Sequence, residues 1–71
     1  MPPMHAEISA QRQHLGLTQQ ELAELSGVSV RLLRELEAGR GNPGLRQLMQ
    51  IAAALNLTLT LTPKGHAATN R

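Results

Sequence analysis

Gly16, Gly27, Gly39 and Asn56 recur at nearly even spacing, and each closes a stretch of about ten residues with helical periodicity. Gly and Asn accept the left-handed backbone that ends many helices. A chain divided this way has room for short helices on tight turns. The spacing predicts four, at about Ala6 to Leu15, Gln19 to Ser26, Val30 to Ala38 and Leu45 to Leu55.

Local signals support these bounds. Thr18 with Glu21 three residues later forms a capping box, and Leu17 is placed to staple onto Leu22. Ser29 caps the third predicted helix, with Val28 and Leu33 as a second staple. The expected inner stripe of the first helix is Met4, Ile8 and Leu15, with Arg12 on or beside it. That of the fourth is Leu45, Leu48, Met49, Ala52 and Leu55, after an Asn42-Pro43-Gly44 loop.

Beyond Asn56 the period changes. Leu57-Thr58-Leu59-Thr60-Leu61-Thr62 alternates strictly up to Pro63, and period two with β-branched Thr predicts a strand. Residues 63–71 are polar and small, a predicted disordered tail.

Composition removes several classes of function. There is no Cys, hence no disulfide scaffold, thiol nucleophile or thiolate metal site. There is no Phe, Tyr or Trp, so the core of this 71-residue chain must be aliphatic. His5, His14 and His66 lack ligand-like spacing, and the only acids are Glu on helical surfaces. No enzyme, metal site or cofactor is expected. No apolar run approaches the roughly 18–20 residues that span a bilayer. The opening MPPMHAEI has no basic region before an apolar stretch. A cytoplasmic, nucleoid-associated protein is therefore expected.

Charge is unevenly placed. All five acids lie at or before Glu37, only basic charged residues (Arg40, Arg46, Lys64 and Arg71) follow, and with Arg31 and Arg34 four Arg fall between positions 31 and 46. A basic face fits a polyanion partner, although a merely solvated helix face has the same composition. Helical geometry bears on the choice. The second and third helices, joined by a short turn at Gly27, make a helix-turn-helix pattern. A side chain at residue 27 would clash or strain that turn. At about 100° per residue, Leu33, Leu36 and Ser29 share one side of the third helix, with Leu32 at its edge. Arg31, Arg34 and Ala38 share the other, flanked by Val30 and Glu35. A short basic face of this kind fits a major groove. Val30, Arg31 and Arg34 are the candidate base readers. Gln19, at the start of the second helix, and Arg40 and Asn42, beyond the third, are the candidate phosphate contacts. Arg46 reads as a solvated residue, and Arg12 and Glu37 as a structural pair.

The string G-L-T-Q-Q-E-L-A-E-L-S-G-V-S-V-R-L-L-R-E-L-E-A-G-R-G-N-P resembles the helix-turn-helix of the Cro/XRE phage-repressor family, over about Arg12 to Leu57. That resemblance implies phosphate contact at Gln19, approach to bases by Ser29, Val30, Arg31 and Arg34, and a structural Arg12–Glu37 pair. Leu32 departs from the pattern, since many relatives carry a smaller or polar residue there. The ending A-L-N-L-T-L-T-L-T-P resembles HipB-like antitoxins, which pair a single C-terminal strand across a dimer, repress their own operon and bind a HipA-type kinase toxin.

Dimerisation also follows from the strand itself. A lone strand among helices leaves its N–H and C=O groups without partners, and a two-fold axis supplies an identical strand. Leu57, Leu59 and Leu61 are then expected to cover the helices. The expected fold is mainly α: a four-to-five-helix, phage-repressor-like helix-turn-helix domain with one C-terminal β-strand paired across a homodimer. Residues 1–56 form the DNA-binding domain, 57–62 the dimerisation strand and 63–71 the tail. Two recognition helices about 34 Å apart would read a palindromic operator in double-stranded DNA. The leading expectation is a repressor and antitoxin with a HipA-type kinase partner. The alternatives are a stand-alone regulator, such as a phage repressor or restriction–modification controller, and a protein-interaction module that has lost DNA binding.

Overall fold

The computed structural model describes residues 3–61 and Pro63. Among these, four helices form: α1 (Met4–His14), α2 (Gln19–Ser26), α3 (Val30–Glu37) and α4 (Leu45–Ala54). α2 packs on both α3 and α4, and α1 packs on α3.

The even spacing of Gly and Asn reflects one helix ending used repeatedly. Gly16, Gly27, Gly39 and Asn56 all have positive φ, at 74°, 78°, 80° and 60°. After α1, Leu17 N–H donates to the Arg12 carbonyl at 3.1 Å. After α3, Arg40 N–H donates to the Glu35 carbonyl at 2.8 Å, and after α4, Leu57 N–H donates to the Ala52 carbonyl at 2.8 Å. In each case the N–H of the left-handed residue donates to the carbonyl three residues back, nested inside that wider loop, so carbonyls left over at the helix end are satisfied. Gly27 ends α2 with its N–H on the Ala23 carbonyl at 2.9 Å. A Cβ at residue 27 would meet only Gln50 Nε2, at 3.8 Å. Backbone conformation, and not crowding, is what calls for glycine at this turn.

The starts of α2 and α3 follow their predicted caps, whereas α1 begins at Met4, two residues before the expected Ala6. Thr18 Oγ1 accepts from Glu21 N–H at 3.0 Å, and the Glu21 carboxylate accepts from Thr18 N–H at 2.8 Å. Ser29 Oγ accepts from Leu32 N–H at 3.0 Å. At α4 the Gln47 amide oxygen accepts from Gly44 N–H at 3.0 Å.

The core is aliphatic: Ile8, Leu22, Ala23, Leu33, Leu36, Ile51 and Leu55, with Leu17, Val28, Val30, Leu32, Leu48, Ala54 and Leu57 packed against it. Ala23 is buried where α2 meets its neighbours. Two expected stripes need correction. On α1, Ile8 is buried, but Met4 and Leu15 are 44% and 45% exposed. The inner face of α1 continues instead through polar side chains three and four residues past Ile8. Gln11 Nε2 donates to the Leu55 carbonyl at 3.1 Å, and Arg12 bonds Glu37. On α4, the buried line runs through Ile51, Ala52 and Leu55, while Leu45 and Met49 stand 68% and 55% exposed. The apolar surface of α4 is wider than the rest of the described chain covers, so periodicity alone places the stripe a few tens of degrees off.

No strand forms among the described residues of this single chain. Leu57 packs on the core, whereas Leu59 and Leu61 are exposed and line a shallow apolar groove with Met4, Leu45, Leu48 and Met49. Thr62 and residues 64–71, which carry the end of the expected strand and most of the expected tail, lie outside the described residues.

Candidate nucleic-acid interface

α3 is divided lengthwise by its sequence. Leu33 and Leu36 are buried, and Arg31 and Arg34 are exposed on the other side. The Ser29 cap fixes where the helix begins, and Arg34 in its last turn complements the negative end of the helix dipole. Of the candidate base readers, Ser29, Arg31 and Arg34 are exposed. The Ser29 hydroxyl oxygen is engaged by the cap bond, and Val30 is half-buried against the core, so it offers only part of its side chain to a ligand. Leu32, ambiguous in sequence, is half-buried and packs on the core. One edge of it also lines a concavity with Arg31, Glu35, Gly41, Asn42 and Pro43.

The loop after α3 carries Arg40 and brings Asn42 to that concavity. Arg40 and Asn42 are both exposed. Arg40 Nε donates to the Glu35 carboxylate at 3.1 Å, so Arg40 is tied to the same helix that carries Arg31. Gly41, with φ of 82°, lets the chain turn close over α3, where an added Cβ would sit 3.2 Å from Glu35 Cβ.

Gln19 stands apart from this group. It is half-buried, and its Nε2 donates to Glu37 at 3.2 Å. Its side chain is therefore attached to the ion pair behind the turn, while the first N–H groups of α2 have no partner within the helix.

That ion pair braces the whole arrangement. Arg12 Nε and Nη2 donate to the two Glu37 oxygens at 2.8 and 2.9 Å, and Arg12 Nη1 donates to the Leu17 carbonyl at 2.8 Å. Burial on its own would raise the Glu37 carboxyl. Hydrogen bonds from Arg12 and Gln19, with the Arg12 charge, outweigh burial and hold it below the ordinary glutamate value. The same hydrogen bond to Glu37 raises Arg12. The pair connects α1, the loop into α2 and the end of α3, so it fixes the angle at which α3 is presented.

Sequence reasoning did not single out Glu35 as a partner of Arg40, nor Gln11 as an inner residue of α1. The five-residue separation of Glu35 and Arg40 across a helix ending was the available signal for the first. The second had only its position three residues after Ile8.

The profile of the Helix-turn-helix family HTH_3 matches residues 8–61. An uncharacterized HTH-type transcriptional regulator of Haemophilus influenzae is 39% identical over 57 residues, 80% of this chain and 58% of that protein. Another, y4dL of Sinorhizobium fredii, is 34% identical over 58 residues, 82% of this chain and 30% of that protein. A third, from Methanothermobacter thermautotrophicus, is 46% identical over 52 residues, 73% of this chain and 75% of that protein. The matched segments thus span less than two thirds of the first two relatives. With α2, α3, α4 and the turn at Gly27 inside the matched segment, this chain belongs to the Helix-turn-helix family HTH_3.

Proposed function

We propose that the chain is a sequence-specific DNA-binding transcriptional repressor that acts as a homodimer on a palindromic operator. The observation that carries this reading is the division of α3: Leu33 and Leu36 are buried, while Arg31 and Arg34 are exposed beside a loop bearing Arg40 and Asn42. Guanidinium groups at exposed helix positions can donate two hydrogen bonds to a guanine edge, and cations at the rim can meet phosphates. Ser29, Val30, Arg31 and Arg34 read bases in this proposal, and Gln19, Arg40 and Asn42 meet phosphates. The regulator names of the three relatives support the same reading.

Exposed Leu45, Met49, Leu59 and Leu61 support the dimer, since a second copy would cover them and pair the 57–62 segments. The antitoxin role and a HipA-type kinase partner rest on the resemblance of the ALNLTLTLTP ending to HipB-like proteins. A kinase-like neighbouring reading frame whose product co-purifies with this chain is the expected outcome for that role. Selection of bound duplexes from a random library tests the main proposal. A palindromic consensus with half-sites one helical turn apart is expected, and recovery of no consensus overturns sequence-specific reading.

A further inference from the structure

Glu35 lies on the flank of the exposed face of α3, four residues after Arg31, and lines the concavity that also contains Gly41 and Asn42. A carboxylate on a face that meets phosphates is a liability unless a cation engages it. We propose that Glu35 is a positioning residue for nucleic-acid binding, which holds Arg40 against α3, the helix that carries Arg31. The inference rests on the reading of this face as a duplex-binding surface.

Three contacts converge on Glu35. Its carbonyl accepts from Arg40 N–H at 2.8 Å, as the last bond of the α3 ending. Its carboxylate accepts from Arg40 Nε at 3.1 Å. Its Cβ closely approaches Gly41, where an added Cβ would lie at 3.2 Å. Backbone and side chain of one residue thus grip backbone and side chain of another.

The side chains are 67% exposed at Arg40 and 44% at Glu35, so the ion pair alone holds Arg40 weakly. The backbone bond and the close turn at Gly41 restrict where the Arg40 side chain starts, and the carboxylate then selects among its rotamers. A guanidinium carries five N–H donors in a planar fork. Engaging Nε leaves the four Nη hydrogens for a phosphate, while ordering of the long side chain is partly accomplished before the ligand arrives.

The test is a double-mutant cycle on the full chain, read by fluorescence anisotropy over a salt series. The probes are a duplex that the wild type selects from a random library and a duplex of random sequence. Arg40→Ala is expected to weaken both several-fold and to reduce the salt slope by about one. Glu35→Ala is expected to do the same despite removing a negative charge, and the double variant to bind no more weakly than Arg40→Ala alone. Glu35→Gln, which keeps an oxygen acceptor for Nε, is expected to bind at least as tightly as the wild type. Unchanged circular dichroism and melting of each variant confine the effect to the interface. Glu35→Ala binding as tightly as the wild type or more so, or losses that multiply in the double variant, overturns the positioning role. A wild type that binds neither duplex overturns the reading of the α3 face itself, and this role with it.

Discussion

Arg12 and Glu37, 25 residues apart in sequence, meet through two hydrogen bonds of 2.8 and 2.9 Å. Glu37 is the last residue of α3, where the helix dipole disfavours an acid. The opposing charge of Arg12 makes an acid tolerable there, with the two side chains only 13% and 6% exposed. Arg12→Ala leaves that carboxylate without its main partner and frees the Leu17 carbonyl as well. A loss of about 3 kcal/mol in unfolding free energy is expected by urea titration, since breaking a buried pair from one side exposes the desolvation cost of the other.

The pair also sets a pH dependence. The Glu37 carboxyl is lowered in the folded chain from its ordinary value of 4.5. A depressed folded value stabilises the protein above the unfolded value, and that contribution disappears as pH falls through the folded one. The stability difference between wild type and Glu37→Gln is therefore expected to be flat from neutral pH down to about 5 and to shrink below 4.5. Chemical denaturation of both proteins at stepped pH checks this. A difference that grows as pH falls contradicts the assignment.

Gly27→Ala separates conformation from crowding. Space exists for the methyl group, 3.8 Å from Gln50 Nε2, but φ is 78°. An L side chain in the left-handed region costs about 1–2 kcal/mol. The melting temperature is expected to fall accordingly, by roughly 4–8 °C per kcal/mol for a domain of this size. Gly27→Asn is expected to fall less, because Asn tolerates this conformation.

Arg31→Ala bears on base reading. Arg31 is exposed and packs no core, so melting is expected to stay within about 0.5 kcal/mol of the wild type. Binding to the selected duplex is expected to weaken by about 1–3 kcal/mol, with a smaller loss on random sequence. Equal losses on both duplexes in an anisotropy titration would move Arg31 from the base readers to the phosphate contacts.

The helices were legible in the sequence because their ends are fixed by local chemistry. Thr18, Ser29, Gly16, Gly27, Gly39 and Asn56 each act within a few residues, and α2 has the bounds their positions predict. The candidate site was legible where it depends on helical phase, as with Arg31 and Arg34 opposite Leu33 and Leu36. It was less legible where a side chain chooses between two partners. Gln19 lies on Glu37, a tertiary neighbour 18 residues away, and Arg40 lies on Glu35 across the α3 ending. The inner faces of α1 and α4 were misplaced for a related reason. Gln11 and Arg12 supply hydrogen bonds where an apolar stripe is expected, and α4 carries more leucine and methionine than the described chain buries.

That surplus leads to the prediction about assembly. Leu45, Met49 and Leu59 are exposed around one groove, and Leu61 is fully exposed at its edge. In a strand pair, the Leu59 N–H faces either the ladder or the open side, but proline at this position also restricts residue 58 and removes the leucine from the groove. Leu59→Pro is therefore expected to shift the sedimented mass from two chains toward one. Leu45→Glu, on α4 and outside the strand segment, places a charge in the same groove and is expected to act in the same direction. Both variants should keep the helical circular dichroism of the wild type, because neither side chain belongs to the core. Loss of dimer in Leu59→Pro alone would confine the contact to the ladder. A mass of two chains in both variants would place the interface elsewhere on the protein, and a wild type that sediments as one chain at micromolar concentration would remove the two-fold arrangement from the proposed mode of operator binding.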